Sequence, residues 1–295
     1  MKLTPPPDRD RPAADSRMPR TVPISVIVSL IILGVIILAA LLAPFITTIS
    51  PTLAELRDSM LPPGGATDGG LIHLLGTDLF GRDVFSRVVY GARISLSVAA
   101  IVIVIGGIVG TILGVVAGYV GGVIDAIVMR VADLVFSLPA ILMAIAVAVV
   151  LGPSFHNLVI VISILIWPIF ARQIRGEAMA IARSDYVMYS VAAGISSWRI
   201  MVRHVLPNVV PTLLVLMTLE IGRVILLEAT LSFLGAGIPD PEPSWGRMVS
   251  DGRVMLQKAW WISFFPGLSI LLTVMTCNLI GDWLRDHLDP RLRNS

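Results

Sequence analysis

Long stretches without a charge constrain this chain more than any other feature. Ile24–Ile46 is a run of 23 residues carrying none, and comparable stretches lie within Ile94–Tyr119, Val123–Leu151, Leu158–Ala171, Pro207–Gly235 and Trp260–Leu284. A helix needs about 20 apolar residues to cross a bilayer, and each central charge costs roughly 2.5–3.5 kcal/mol on insertion scales. The pattern predicts an all-α membrane protein with six transmembrane helices. The third carries Asp125, Arg130 and Asp133 near its start, and Gly152-Pro153-Ser154 breaks it from the fourth. That fourth stretch has only 14 residues before Arg172, the length of a re-entrant or buried segment. Composition agrees: 56% hydrophobic and 14% charged, against about 45–50% and 25% in soluble domains.

Six spans place both ends on one side, and the positive charges say which. Fourteen Lys and Arg fall on the face of the termini and the Ser184–Asn208 segment, against seven on the other, with Arg223 inside a span. The bias puts both termini in the cytoplasm. Without the fourth span, the arginines of Ser184–Asn208 and its approach (Arg172, Arg175, Arg183, Arg199, Arg203) would face outward, so parity supports keeping it. The first apolar run is too long for a secretory h-region and reads as an uncleaved anchor. The proline-rich, charged tail 1–23 is expected to be disordered. The expected organisation is this tail, a first helix plus external loop over 24–91, a five-helix core over 92–285 and a tail over 286–295.

Ser184–Asn208 is written like two capped helices rather than a connector. Ser184 suits an N-cap and Asp185 the first turn. Gly194 ends the helix as a left-handed residue, and Ser196 or Ser197 caps the next. Pro207 fits the first turn of the fifth span, where its missing N–H is not needed. Tyr186, Val187, Tyr189, Val191 and Ala192 offer a contact surface with few charges. On these residues alone the hairpin is either a socket for a soluble partner or a loop resting on lipid headgroups.

Other residues carry chemistry of their own. Asp83 and Arg87 read as a surface ion pair on a short helix, with Phe80, Val84 and Val88 laid in the outer interface. Gly106, Gly107, Gly110 and Gly114 read as close helix packing. Trp245, Trp260 and Trp261 fit an outer interfacial belt. Glu220, Arg223 and Glu228 lie within the fifth span, where ionisable groups are costly; they either border a translocation path or form a buried set that orients the helix. A nucleotide loop needs Gly-Lys-Ser/Thr, and the only lysines are Lys2 and Lys258, neither after glycine. Neither a zinc-protease nor a serine-hydrolase motif is present, and His73, His156, His204 and His287 are dispersed. The single cysteine, Cys277, reads as a small buried hydrophobe. A net charge of +2 with scattered arginines gives no sign of nucleic acid as a partner, and none is expected.

The hairpin resembles the cytoplasmic coupling segment of binding-protein-dependent ABC importer permeases. In that pattern Glu-Ala-Ala precedes a glycine, nine residues follow, and Leu-Pro closes it after an apolar or His position. Here Gly194 is followed at the right spacing by His204, Val205, Leu206 and Pro207. Met188, Tyr189 and Ser190 stand where the family has Glu-Ala-Ala, leaving Asp185 or Glu177 to supply any carboxylate contact. Further stretches resemble the dipeptide/oligopeptide/nickel branch and its second permease subunit. They are Gly76-Thr77-Asp78 with Gly81-Arg82-Asp83 and Ser86-Arg87; Gly118-Tyr119 with Gly121-Gly122, Asp125, Met129-Arg130, Asp133 and Pro139; and Glu228–Gly235 with Pro243–Gly246. Trp260-Trp261, Pro266-Gly267, Asn278–Asp286 and Leu288-Asp289-Pro290 complete the series.

The resemblance implies the type I ABC importer transmembrane fold in a bacterial or archaeal cytoplasmic membrane. It implies a non-catalytic subunit without a cofactor of its own, moving small peptides or related solutes inward by alternating access. ATP would be bound by two partner ATPase subunits, beside a second homologous permease subunit, an extracytoplasmic solute-binding protein and surrounding membrane lipid. Coupling to the ATPase would fall to Asp185, Tyr186, Met188, Tyr189, Ser190, Gly194, Arg203, His204, Leu206 and Pro207. Relatives in the branch carry nickel, opines or oligosaccharides. A secondary carrier driven by an ion gradient, or an intramembrane enzyme, would need no capped cytoplasmic lever.

Overall fold

The computed structural model describes residues 22–288. The predicted tail up to residue 21 and the end from Asp289 onward, including its Asp-Pro pair, lie outside the described residues. The elements are α1 (Ile24–Leu41), α2 (Ala43–Ile46), an antiparallel ribbon of β1 (Gly65–Ala66) and β2 (Ile72–His73), α3 (Val84–Val120), α4 (Gly122–Ser137), α5 (Ala140–Leu151), α6 (Phe155–Ala182), α7 (Asp185–Ala192), α8 (Ser197–Ile200), a π-turn at Met201–Val205, α9 (Leu206–Phe233), α10 (Trp245–Gly252) and α11 (Trp261–Leu288). Among the described residues, five helical stretches are long and apolar enough to cross a membrane: α1, α3, α6, Ser197–Phe233 and α11.

The predicted third span is not straight. α4 and α5 qualify together but meet at 89°. Pro139 lacks an N–H and forces the residue before it out of the helical region; Leu138 accordingly has φ −99 and ψ 139. Counting this pair as one crossing gives the six expected. The fourth span is not short: α6 runs 28 residues, well past Arg172. Arg172 reaches Asp133 Oδ1 at 2.7 Å and Arg175 holds Asp125 through both its Nε and its terminal nitrogen. These partners on α4 let charged residues continue a helix that composition alone would end.

α3 and α6 form the spine. Smallness at Gly110, Gly114 and Gly118 is required by contact: a Cβ there would sit 2.5–2.7 Å from the carbonyl oxygens of Trp167, Ala171 and Arg175. Backbones that approach this closely replace the hydrophobic drive that lipid does not supply. Around the spine lies a core of Val98, Val102, Ile162, Ile166, Phe170, Val224 and Ile225, all buried. α1 stands aside with most of its apolar residues exposed, as a helix facing lipid does.

At one end of the bundle the α1–α3 and α9–α11 connections fold into a cap. Here the structure corrects the expected surface pair and interfacial helix. Residues 84–88 are the first turns of α3, a 37-residue helix, so an organisation divided at residue 91 cuts through one continuous element. Asp83 is the N-cap of α3, accepting from Ser86 N–H at 2.7 Å and meeting His73 Nδ1 at 2.8 Å. Arg87 is buried and faces Asp78 at 3.6 Å and Asp251 at 3.9 Å instead. Arg82 donates to Asp78 at 2.6 Å and lies 3.4 Å from Asp240 and 3.6 Å from Asp251. Arg247 completes the set, 2.7 Å from Asp240 and 3.0 Å from Asp251. Burial lifts the Asp251 carboxyl above the usual carboxylate range, against the pull of Arg247.

The tryptophan belt is also corrected. Trp245 and Trp261 are buried in the cap, where their indole N–H groups donate to Val88 O at 2.9 Å and Thr77 O at 3.1 Å. Only Trp260 of the three is exposed. A buried indole needs a partner for its N–H, and the first turns of α3 and the connection before it supply acceptors that a sequence pattern does not reveal.

Candidate functional site

The Ser184–Asn208 hairpin occupies the other end of the bundle. Its path follows the predicted caps. Ser184 has extended angles, φ −74 and ψ 149, and α7 starts behind it. Its hydroxyl, however, turns back to donate to Ile181 O at 2.5 Å rather than capping. Gly194 has φ +77, and the chain closes with Gly194 N–H on Val191 O at 2.9 Å and Ile195 N–H on Ser190 O at 3.1 Å. That left-handed residue is the turn glycine the spacing called for.

α7 has two unlike faces. Val187, 1% exposed, plugs a second core made of Val115, Ile174, Ala178, Ile200, Val205 and Val209. Of the five residues expected on the contact surface, Val187 therefore serves instead as the anchor. On the outward face Tyr189 is 75% exposed, Met188 53% and, from α8, Trp198 71%. Asp185 is exposed at the start of α7. Ser190 is half-buried, its hydroxyl spent on Tyr186 O at 2.8 Å. Arg203 and Pro207 are exposed, and Leu206 and His204 half-buried.

Asp185, Tyr186, Met188 and Tyr189 of α7 are thus exposed, as is Trp198 of α8, with Val187 turned inward. Exposed aromatic and Met side chains are the composition enriched at protein interfaces. Glu177, the other candidate carboxylate, accepts from Thr212 at 2.5 Å and so ties α6 to α9 behind the hairpin. Asp185 alone of the two presents a carboxylate outward.

Within the fifth span the three ionisable residues divide. Glu220 is buried, and its Oε2 lies 3.3 Å from Nε of Arg223, whose side chain is 58% exposed on the outside of this chain. Glu228 is closed in. It accepts from Ser95 of α3 at 3.0 Å and Ser232 at 2.8 Å, with no cation among its neighbours in the described residues.

Sequence reasoning missed three features here: Val187 as anchor, the π-turn at Met201–Val205, and Asn208, whose amide donates to His204 O at 2.6 Å. Two prolines four apart, Pro207 and Pro211, were the available signal for the second.

Comparison with known proteins follows the same lines. Residues 110–294 match the family described as the binding-protein-dependent transport system inner membrane component. The chain is 43% identical over 268 residues to the dipeptide transport system permease protein DppC of Alkalihalophilus pseudofirmus, covering 91% of this chain and 86% of that one. It is 42% identical over 268 residues to the dipeptide transport system permease protein DppC of Escherichia coli K12, covering 90% and 89%. With the di/tripeptide transport system permease protein DppC of Pseudomonas aeruginosa the identity is 40% over 260 residues, covering 88% and 86%. Helical spans and matched sequence agree: the chain belongs to the inner-membrane component family of binding-protein-dependent transport systems, as a multi-pass permease of the bacterial cytoplasmic membrane.

Proposed function

We propose that this chain is one of two membrane subunits of an ATP-driven importer of small peptides, with its hairpin as the socket for an ATPase subunit. The observation that carries this reading is α7, anchored inward by Val187 and offering Tyr186, Met188 and Tyr189 outward. The peptide cargo rests on the names of the dipeptide and di/tripeptide permeases to which the chain is similar. A second permease, two ATP-hydrolysing subunits and an external binding protein complete the system, and ATP is bound and split on the partners.

In this mechanism ATP draws the ATPase pair together and pulls α7. The Val187 plug passes the pull to α6 and α9, which leave the two ends of the hairpin. Nucleotide on the partner thus supplies the differential free energy that selects between inward and outward states. Glu220 and Arg223 border the path of the solute, Arg223 from the open side of α9, while Glu228 holds α9 to α3 behind them.

The test is photo-crosslinking in cells from a reactive residue placed at Met188, Tyr189 or Trp198. These positions should capture an ATP-binding subunit, and the same probe at Val150 of α5, more exposed than any of them, should not. Failure of all three hairpin positions to capture it would remove the basis of the proposal.

A further inference from the structure

The second half of the hairpin does not join α9 as an ordinary helix. At Met201–Val205 the chain makes a wide turn in which Leu206 N–H donates to Met201 O, five residues back. Pro207 accounts for it. Its nitrogen has no hydrogen for Arg203 O, and its ring presses on that carbonyl in a regular α-turn. Pro211 repeats the effect on the carbonyl of Pro207 one turn later.

The turn begins and ends in right-handed helical angles, Met201 with φ −56 and ψ −48 and Val205 with φ −80 and ψ −55. A change of register between these ends needs no change of helical hand. The consequence at a distance is large: a shift of one residue in register swings the preceding helix by roughly 100° about the axis and ~1.5 Å along it. Single wide turns of this kind recur at functional sites.

One side chain spans this joint and α7. Asn208 Nδ2 donates to His204 O at 2.6 Å, satisfying a carbonyl within the wide turn. The same amide lies 3.4 Å from the hydroxyl of Tyr186, whose ring stands 6.1 Å from that of His204. On its opposite side the turn is pinned by Val205, buried in the second core. Val202 and Arg203 remain exposed. The joint is thus fixed along one face and latched on the other through a single amide that also reaches the contact helix.

We infer that Asn208 is a positioning residue that latches the Met201–Val205 turn to Tyr186, and that the hairpin swings on this turn when a partner moves α7. The inference rests on the hairpin being the ATPase socket. When α7 is pulled, Tyr186 leaves the amide, the hold on His204 O weakens, and the turn changes register.

Amide hydrogen exchange on the permease assembled with its ATPase subunits, with and without a slowly hydrolysed ATP analogue, tests it. In the unmodified complex, nucleotide should change exchange at 202–206 by about tenfold, a size typical of coupling between sites, while Val215–Gly222 within α9 stays unchanged. Asn208→Asp and Tyr186→Phe complexes that still hold the ATPase should lose that response, and Asn208→Gln should restore part of it. Exchange at 202–206 that ignores nucleotide while α7 responds would overturn the joint and leave the socket standing. So would an undiminished response in Asn208→Asp. If α7 itself ignores nucleotide, the socket reading fails and takes the joint with it.

Discussion

The two ends of this molecule solve opposite problems with different chemistry. At the cap, six charged side chains (Asp78, Arg82, Arg87, Asp240, Arg247 and Asp251) share one network, and each aspartate faces two arginines or more. At the hairpin, α7 is held by one apolar plug and shows aromatic side chains outward. Buried ion pairs add little net stability, but breaking one leaves an uncompensated charge at high cost. Such a network therefore fixes geometry rather than adding strength. An apolar plug releases and reseats without that penalty. The cap holds itself together, whereas the hairpin is built to be held by something else.

The sharpest way to break this contrast is to remove one cation from each end. Arg87→Met should destabilise the folded chain by about 3–5 kcal/mol, because Asp78 and Asp251 lose a buried partner. Arg203→Met at the exposed hairpin should stay within about 0.5 kcal/mol. Thermal unfolding in detergent measures both, and equal effects would dissolve the distinction. Next in size is an indole comparison. Trp245→Phe removes the indole's hydrogen bond to Val88 O and leaves space in the buried cap, and should cost about 1–3 kcal/mol. Trp198→Phe, on the exposed face, should cost almost nothing by the same assay.

Val187→Ala probes the plug itself. Loss of two buried methyl groups should cost roughly 1–2 kcal/mol, and the loss should be local. Hydrogen exchange in α7 should rise while exchange in α3 and α6 stays unchanged; a global rise would mean the hairpin is welded like the cap. The smallest effect belongs to Gly194→Ala. Nothing lies within 4 Å of the added Cβ, so only the left-handed backbone objects, at about 1 kcal/mol. Gly194→Asn, which tolerates that conformation, should recover most of it.

Much of this architecture was legible in the chain because lipid leaves few alternatives. Uncharged runs predict the spans, and Gly194 with Leu206-Pro207 predicts where the hairpin turns and where the fifth span begins. The failures have a common cause. Composition ends the fourth span at Arg172 because its partner Asp133 lies 39 residues away in sequence. Spacing pairs Arg87 with Asp83, four residues off, although its partners include Asp251 on α10. Local spacing sees neighbours on one helix, but these charges are satisfied across helices. The same reason misplaces Trp245 and Trp261, since their acceptors, Val88 O in the first turns of α3 and Thr77 O in the connection before it, are more than 150 residues away in sequence. At the hairpin the spacing predicts where both helices start, at Ser184 and Ser196, although neither hydroxyl caps; it does not predict the anchor, because Val187 looks like its exposed neighbours until the second core is assembled.

The central claim is that the outward face of α7 receives an ATPase. Its most direct test is co-purification and ATP-driven uptake of a labelled dipeptide for a permease carrying Met188→Asp and Tyr189→Asp together. Both residues are exposed, so the chain should fold with unchanged thermal stability yet lose its ATPase partner and uptake. A doubly substituted permease that retains the ATPase and transports at the normal rate would contradict the account.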